Sequence, residues 1–598
     1  MARSLKMINA EVLGVSHRKF HPHNYSRLVK RIWRLKANRS SAEWALTVAS
    51  LAADLGVDLV MPVDFIDVYT FSRWNIFFKD RNVKLAAPSY ESVSRASRKD
   101  KLPKLLEGIA KTPKQVVIKK PIDTKYLTRL KPPIVIKGLG DASKPEYFLD
   151  YEEAAKNAVS RAPCLVQEYV PGIARGYYTV AYRGRPLLEF THERIIEYDP
   201  SGGASLAARG PVLEPNLYRL GRSIVSFLEW TGPLMVETKW YAERDEYLVI
   251  ELNPKFWGSL HLPVSLGFQF PAVLALAYLR DPNVASSLAT KLTIRKGEYY
   301  WLVDGLRYLA KLPETWIFMA AKSVREKAFS DVDFTDPARL LGQISVGLYK
   351  LRGEKKRWVR SLARDIGRVR AWIRGLVHRI RASSKKPLLI FDLDSTLLSL
   401  KIDWERLRRR MIELGYARRQ DKIRTLLYKL WMKNREEYLK VSKLIEDYEI
   451  KAARSAGSLV DVKMFQNLKD QSPMCIATLQ AERSAVKALE RIGLKNVFDL
   501  IVGRDSGYGP LKEEMFRACL QKMGYRIEDP VVAFEDNLAN AIAAVRLGIL
   551  SVHVARNGYK QVQAIRLGIP SIFNEEIPEL VTLIIKAGIC APRVTKLG

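Results

Sequence analysis

The sequence predicts a multidomain α/β protein, on three observations. Its 598 residues exceed what one hydrophobic core supports, so two or three domains are expected. Toward the C-terminus, short apolar runs of strand length end in acidic pairs and are separated by helical segments, the pattern of a doubly wound parallel sheet. In the N-terminal half a second set of strand-like runs also ends in acids and lysines.

Taken in chain order, residues 1–95 read as a small α/β unit. Ser41 to Leu55 has the spacing of an amphipathic helix, and Val57 to Val63 is a buried-type strand. His17, His21 and His23 surround Pro22 and read as loop polarity rather than as metal ligands.

Residues 96–290 carry the first chemistry. Pro132 to Gly138 is a strand ending in Lys137, and Cys164 to Gly172 is a strand that runs into a turn. Gly232 to Glu237 and Tyr247 to Pro254 are strands with acids at their ends. Glu251 and Asn253 alternate onto one face, and Glu237 on a neighbouring strand can join them. Three oxygen donors without histidine or cysteine favour magnesium, with manganese as the alternative, bridging nucleotide phosphates. The Glu-x-Asn-Pro run, the upstream acid and the lysine strand together resemble the ATP-grasp superfamily. The resemblance implies ATP as cofactor, with Lys137 and Lys101 on its phosphates and Gln167, Glu168 and Val170 along the adenine hinge. Glu237, Glu251 and Asn253 would hold magnesium, and Gly202-Gly203 after Arg194 would close over the substrate. The chain departs from the pattern at Lys255, where relatives often carry arginine, and in the loop Gly138 to Pro145, which is less glycine-rich than usual. The implied reaction is carboxylate activation as an acylphosphate, captured by an amine. Transfer of phosphate to a stable acceptor, a small-molecule kinase, is the alternative outcome.

Residues 291–385 follow neither pattern. Tyr299 to Leu309 and Leu340 to Leu351 read as packed closing elements. Val359, Leu362, Ile366, Val369, Ile373, Leu376, Val377 and Ile380 then form a helical stripe among many arginines and lysines. Such a helix either docks its stripe on a domain or lies on an anionic membrane surface through residues 350–386.

Residues 386–598 carry the second chemistry. Pro387 to Phe391 is an apolar strand ending in Asp392-Leu393-Asp394-Ser395-Thr396, which aims two carboxylates the same way. Met474 to Thr478 ends a second strand in a hydroxyl, and Lys512 offers a fixed charge. Val531 to Phe534 delivers the acidic pair Glu535-Asp536. This order resembles the haloacid dehalogenase (HAD) phosphohydrolases, a Rossmann-like α/β fold. By resemblance, Asp392 is the nucleophile toward phosphorus and Asp394 the general acid/base. Thr478 and Lys512 steady the phosphate, and Asp392, Glu535 and Asp536 hold magnesium. Glu513 stands where relatives often have proline, and Asn537 where serine is common. The stretch from about 400 to 470 is too long for a loop, and its apolar residues recur at helical spacing, which predicts a helical cap over the site. Arg406, Arg408, Arg409 and Arg410 read as its solvated face.

Composition bounds the rest. A hydrophobic fraction of 47% excludes wholesale disorder. The cysteines Cys164, Cys475, Cys519 and Cys590 are scattered, which argues for a reducing cytosol and against disulfides or a zinc cluster. No secretory leader and no membrane-length apolar run is recognised. The net charge of +34 comes without a zinc-finger or RNP-type signature, so a nucleic-acid partner is not expected. The reading is thus a cytoplasmic, bifunctional enzyme: an ATP-dependent carboxylate–amine ligase joined to a magnesium-dependent phosphatase. Its expected partners are small carboxylates, amines and a phosphomonoester. The rival from another class is a nucleotide-binding scaffold at the membrane surface with relic sites.

Overall fold

One tight hairpin sets the frame of the first unit. Tyr182 and Arg185 face each other across Arg183-Gly184, whose φ angles of 47° and 76° give the left-handed turn that right-twisted strands favour. The computed structural model describes residues 1–18, 20–139, 145–242, 244–351, 354–418 and 421–590. They divide into two units assembled from separate stretches of chain: 1–114, 173–240 and 247–359 in the first, 115–172, 241–246 and 360–598 in the second.

In the first unit, a seven-stranded sheet has the order Glu246–Asn253, Gly232–Tyr241, Ile173–Tyr182, Arg185–Glu197, Ser205–Gly210, Gly297–Tyr300, Phe329–Ser330. Its middle strands pair antiparallel. A long sheet of this kind is anchored by a buried cation: Arg175 pairs with Glu193 at 2.7 Å and lies over the Trp240 ring at 4.0 Å. The N-terminal residues make two small parallel pairs and the helix Ala42–Asp54, capped by the Ser41 hydroxyl on Trp44 N–H at 3.2 Å. Trp44, Val48, Phe71 and Phe78 form its core. The expected strand Val57 to Val63 shrinks to Leu59–Val60, with Val63 54% exposed. Pro62 lacks the N–H that would continue the ladder.

The second unit holds two sheets. The first is antiparallel, in the order Gln115–Ile118, Cys164–Glu168, Ile134–Gly138, Glu146–Phe148, and is covered by the helix Tyr151–Ser160. The second is six-stranded and parallel: Leu500–Val502, Met474–Ala477, Leu388–Phe391, Val531–Glu535, Leu550–Val554, Ser571–Ile572. Its strands read as apolar runs because helices bury both faces. Within this unit Val135, Tyr147 and Tyr169 of the small sheet pack against Ala541, Ile542, Ala564 and Leu567 on helices Leu538–Arg546 and Gly558–Arg566. Arg546 reinforces this contact by donating to the carbonyls of Tyr169 and Pro132, at 2.6 and 3.4 Å.

The basic helix runs from Glu354 to Ala382. From Arg360 onward it belongs to the second unit, where Trp372, Leu376 and Ile380 are buried in one core with Leu389, Phe391 and Val552. Val359, Ile366 and Ile373 of the expected stripe are exposed. The buried line is therefore the i, i+4, i+8 row through Trp372, which the stripe had left out. Two of the basic side chains serve the same docking: Arg379 caps the carbonyls of Ile527 and Gly548, and Arg368 lies over the Phe148 ring at 4.6 Å. No helix among the described residues is long and apolar enough to cross a membrane.

Leu376→Ala should destabilise the second unit by about 2–5 kcal/mol in urea unfolding, whereas Ile373→Ala should cost less than about 0.5 kcal/mol. Equal losses would contradict the docked face.

Candidate active sites

The parallel sheet reverses its strand order on either side of Leu388–Phe391, so that strand ends at a crevice where ligands collect. Its register sets the chemistry. Phe391 pairs with Phe534 on one side and Ile476 on the other. The next residues on each strand, Asp392, Glu535 and Ala477-Thr478, consequently emerge side by side. Stacked rings of Phe391 and Phe534, 4.7 Å apart, hold the strands in that register from below.

Lys512 opens the helix Lys512–Met523 and is fully inside the protein. Its ammonium contacts Asp392 Oδ1 and Glu535 Oε1, both at 2.7 Å, and donates to Ala477 O at 2.5 Å. Burial alone would lower its pKa; the charges of Asp392 and Glu535 outweigh that and keep it above the usual lysine range. Asp392, Glu535 and Asp536 each bring an oxygen within 4.8 Å of the others. Burial pushes Glu535 up to about 8 despite Lys512, and burial with the Asp392 charge pushes Asp536 up to about 6. Lys512 and Arg556 are two cations against three carboxylates, and a hard divalent cation fits this all-oxygen set. Arg556 pairs with Asp536 from the solvent side.

Asp394 sits at the start of a tight turn in which Ser395 has φ 67° and donates its N–H to Leu398 O at 2.7 Å. Asn574 ties the turn down through the carbonyls of Ser395 and Thr396. Leu400 N–H donates to Asp394 Oδ1 at 2.8 Å, yet burial, aided by the Asp392 charge, raises the Asp394 pKa from its ordinary value. Thr478 is buried, with its hydroxyl bonded to Gln480 Oε1.

The helices Trp404–Glu413, Ile423–Lys433 and Arg435–Ala453, in the stretch expected to form a cap, share a core of Leu407, Met411, Leu427, Tyr438, Val441 and Ile445. Arg406, Arg409 and Arg410 face solvent and Arg408 is half-buried. The cap is fastened by Arg504, which follows the strand Leu500–Val502. Its guanidinium meets Glu449 at 2.5 Å and donates to Ser442 Oγ and the Ser442 carbonyl, both at 2.9 Å. Two residues that the motif reading missed complete the site. Asn540 donates to Glu535 Oε2 at 3.0 Å, and Arg424 of the cap donates to Asn540 Oδ1 at 2.7 Å. Asn540 lies five residues after Glu535, one helical turn into Leu538–Arg546, a spacing that could have signalled it. Nothing local singles out Arg424.

The residues of the nucleotide reading fall in both units. In the first, Glu251 pairs with Lys99 at 2.7 Å and accepts from Asn253 Nδ2 at 2.8 Å. Glu237 pairs with Arg194 at 2.9 Å, and Arg194 also holds Glu197 and the Gly203 carbonyl. Lys99, rather than the exposed Lys101, is the lysine at this acid: two residues upstream, it opens the short helical turn Lys99–Lys101. In the second unit Lys137 donates to Gln167 Oε1 at 3.1 Å, Gln167 donates to Gln115, and Glu168 accepts from Lys131 N–H. Val170 carries the turn that follows, its carbonyl accepting from Gly172 N–H. Residues 140–144 of the loop after Lys137 lie outside the described residues. Among the described residues His17 and His21 join no cluster of three ligands.

Residues 387–548 match the haloacid dehalogenase-like hydrolase family model. No curated protein matches the chain in sequence. Among solved structures, N5-carboxyaminoimidazole synthetase from Staphylococcus aureus is 13% identical with a TM-score of 0.42, over 52% of this chain and 81% of that one. The MgADP-bound biotin carboxylase domain of 2-oxoglutarate carboxylase from Hydrogenobacter thermophilus is also 13% identical, with a TM-score of 0.38 over 50% and 70%. Phosphoribosylglycinamide synthetase from Anaerococcus prevotii is 15% identical, with a TM-score of 0.38 over 50% and 76%. These are similarities of architecture over half of the chain, and no activity follows from them.

Arg504→Met should destabilise the second unit by about 3–5 kcal/mol, because it leaves Glu449 charged, buried and unpaired. Thermal unfolding of the variant, with Arg504→Met/Glu449→Leu recovering most of the loss, checks this.

Proposed function

We propose that the chain is a bifunctional enzyme whose C-terminal site is a divalent-cation-dependent phosphohydrolase and whose N-terminal half is an ATP-dependent ligase. The first part rests on one observation above all: buried Lys512 bridging Asp392 and Glu535, with Asp536 and Asp394 alongside. Asp392 attacks phosphorus and the bond to the leaving oxygen breaks, giving an aspartyl phosphate. Asp394, whose buried setting favours the protonated form, delivers the proton to that oxygen and afterwards takes one from the water that cleaves the acyl bond. Lys512 holds Asp392 by one oxygen and offsets charge as it develops. Magnesium, held by Asp392, Glu535 and Asp536, would supply neutralisation of the phosphoryl oxygens. The helical cap excludes bulk water while this happens.

For the ligase, the support is narrower: Glu251 and Asn253 lie at the end of one strand and Glu237 inside its neighbour, with Arg194 and Lys99 on the acids where cation and triphosphate would bind. A small carboxylate activated by ATP and captured by an amine is the reaction that this set supports best.

Asp392→Asn should abolish phosphate release from p-nitrophenyl phosphate while MgADP binding is unchanged; retained turnover would overturn the nucleophile assignment. Asp394→Asn should slow hydrolysis of an alkyl phosphate by about 10²–10⁴-fold and of p-nitrophenyl phosphate much less, since a good leaving group needs no proton. Glu251→Ala should weaken MgADP binding at least about tenfold by calorimetry, in line with the loss of a cation ligand. Unchanged affinity would remove the nucleotide site from that strand.

A further inference from the structure

The cap reaches into the hydrolase site through one side chain. Arg424 lies on the helix Ile423–Lys433, and its Nη2 donates to Asn540 Oδ1 at 2.7 Å. Asn540 is buried and uses its other end, Nδ2, on Glu535 Oε2 at 3.0 Å. Glu535 Oε1 is on Lys512, which reaches Asp392. An asparagine amide has one donor end and one acceptor end, so the donor that claims its oxygen also decides where its NH₂ points. With Arg424 in place, the NH₂ is directed at Glu535, and both Glu535 oxygens are fixed in space. Without that guanidinium, the amide is free to turn over and the carboxylate loses one of its two restraints.

The helix bearing Arg424 is itself fixed on another side. Thr425 Oγ1 donates to Ala242 O at 2.6 Å, and Lys429 pairs with Asp245, both on the turn Tyr241–Glu246 of the same unit. Arg424 therefore arrives at Asn540 from a helix with little freedom to rotate.

We infer that Arg424 is a cap-borne positioning residue for the cation site: through Asn540 it sets the orientation of Glu535, so the cap and the three-carboxylate cluster are assembled as one piece. The consequence is that cation affinity depends on the cap's placement and not only on the carboxylates themselves. Residues that orient first ligands typically change metal affinity by about 10–100-fold when removed. This inference rests on the cation-dependent hydrolase reading, and the experiment separates the two.

Mg²⁺ is titrated into the full chain by calorimetry without nucleotide or substrate, and the heat that Asp536→Asn abolishes is assigned to this cluster. Arg424→Gln should weaken that binding about tenfold, and Arg424→Lys, which can still donate to Asn540, should stay within about threefold of the unmodified protein. Asn540→Ala should weaken it as well, and adding Arg424→Gln to Asn540→Ala should change it less than about twofold, because the two act through one contact. Should Arg424→Gln not fold, the same cycle is run with Arg424→Met, which also removes the donor to Asn540. Absence of the Asp536-dependent heat in the unmodified protein would sink the cation reading and this inference with it. Unchanged affinity in a folded Arg424→Gln protein, or independent additive losses in the cycle, would overturn the role of Arg424 alone.

Discussion

A single ammonium group in the company of three carboxylates governs the parallel-sheet part of the second unit. Lys512 is sealed from water, and so are Glu535 and most of Asp392. Such a charge is tolerated only where partners and hydrogen bonds are complete. That demand explains the strand order, since only adjacent strand ends bring Asp392, Ala477 and Glu535 within reach of one Nζ atom. It also explains why the cluster is left short of positive charge. A site balanced within itself would have no use for a cation or for a phosphoryl group.

Much of this was legible in the residues. Acidic pairs after apolar runs have a purely local signature, because a strand's last residue and the next two on the loop share a position at the sheet edge. The hydroxyl at Thr478, directly after the strand Met474–Ala477, follows the same logic. The helices between 400 and 470 were legible from spacing alone: Leu407, Met411 and Leu427 are buried as their periodicity implies. Trp404 and Leu414, counted in the same pattern, are exposed, since a short helix has room for only one buried line.

What escaped was set by tertiary placement. Lys99 and Lys101 are equally plausible by sequence, and only the direction of a one-turn helix decides between them. Trp372 was missed because a stripe read from Val359 drifts around a helix of 29 residues, and the face that docks is chosen by the neighbour rather than by the pattern. Arg424 was invisible for the same reason: one arginine among many, distinguished only by Asn540, 116 residues away. The basic excess hides such cases. Arg379, Arg546 and Arg566 each look like surface charge and instead grip carbonyls or a buried carboxylate, Asp365 in the case of Arg566.

The small antiparallel sheet seated on helices Leu538–Arg546 and Gly558–Arg566 bears on how this polypeptide can be dissected. A fragment cut at the motif boundary near Lys386 would keep Asp392, Asp394, Glu535 and Asp536. It would also uncover Ala541, Ile542, Ala564, Leu567 and Ile569 on one side, and strip Trp372, Leu376 and Ile380 from the other. Two greasy scars of that kind invite self-association, so the smallest well-behaved piece that holds the parallel sheet is discontinuous in the gene.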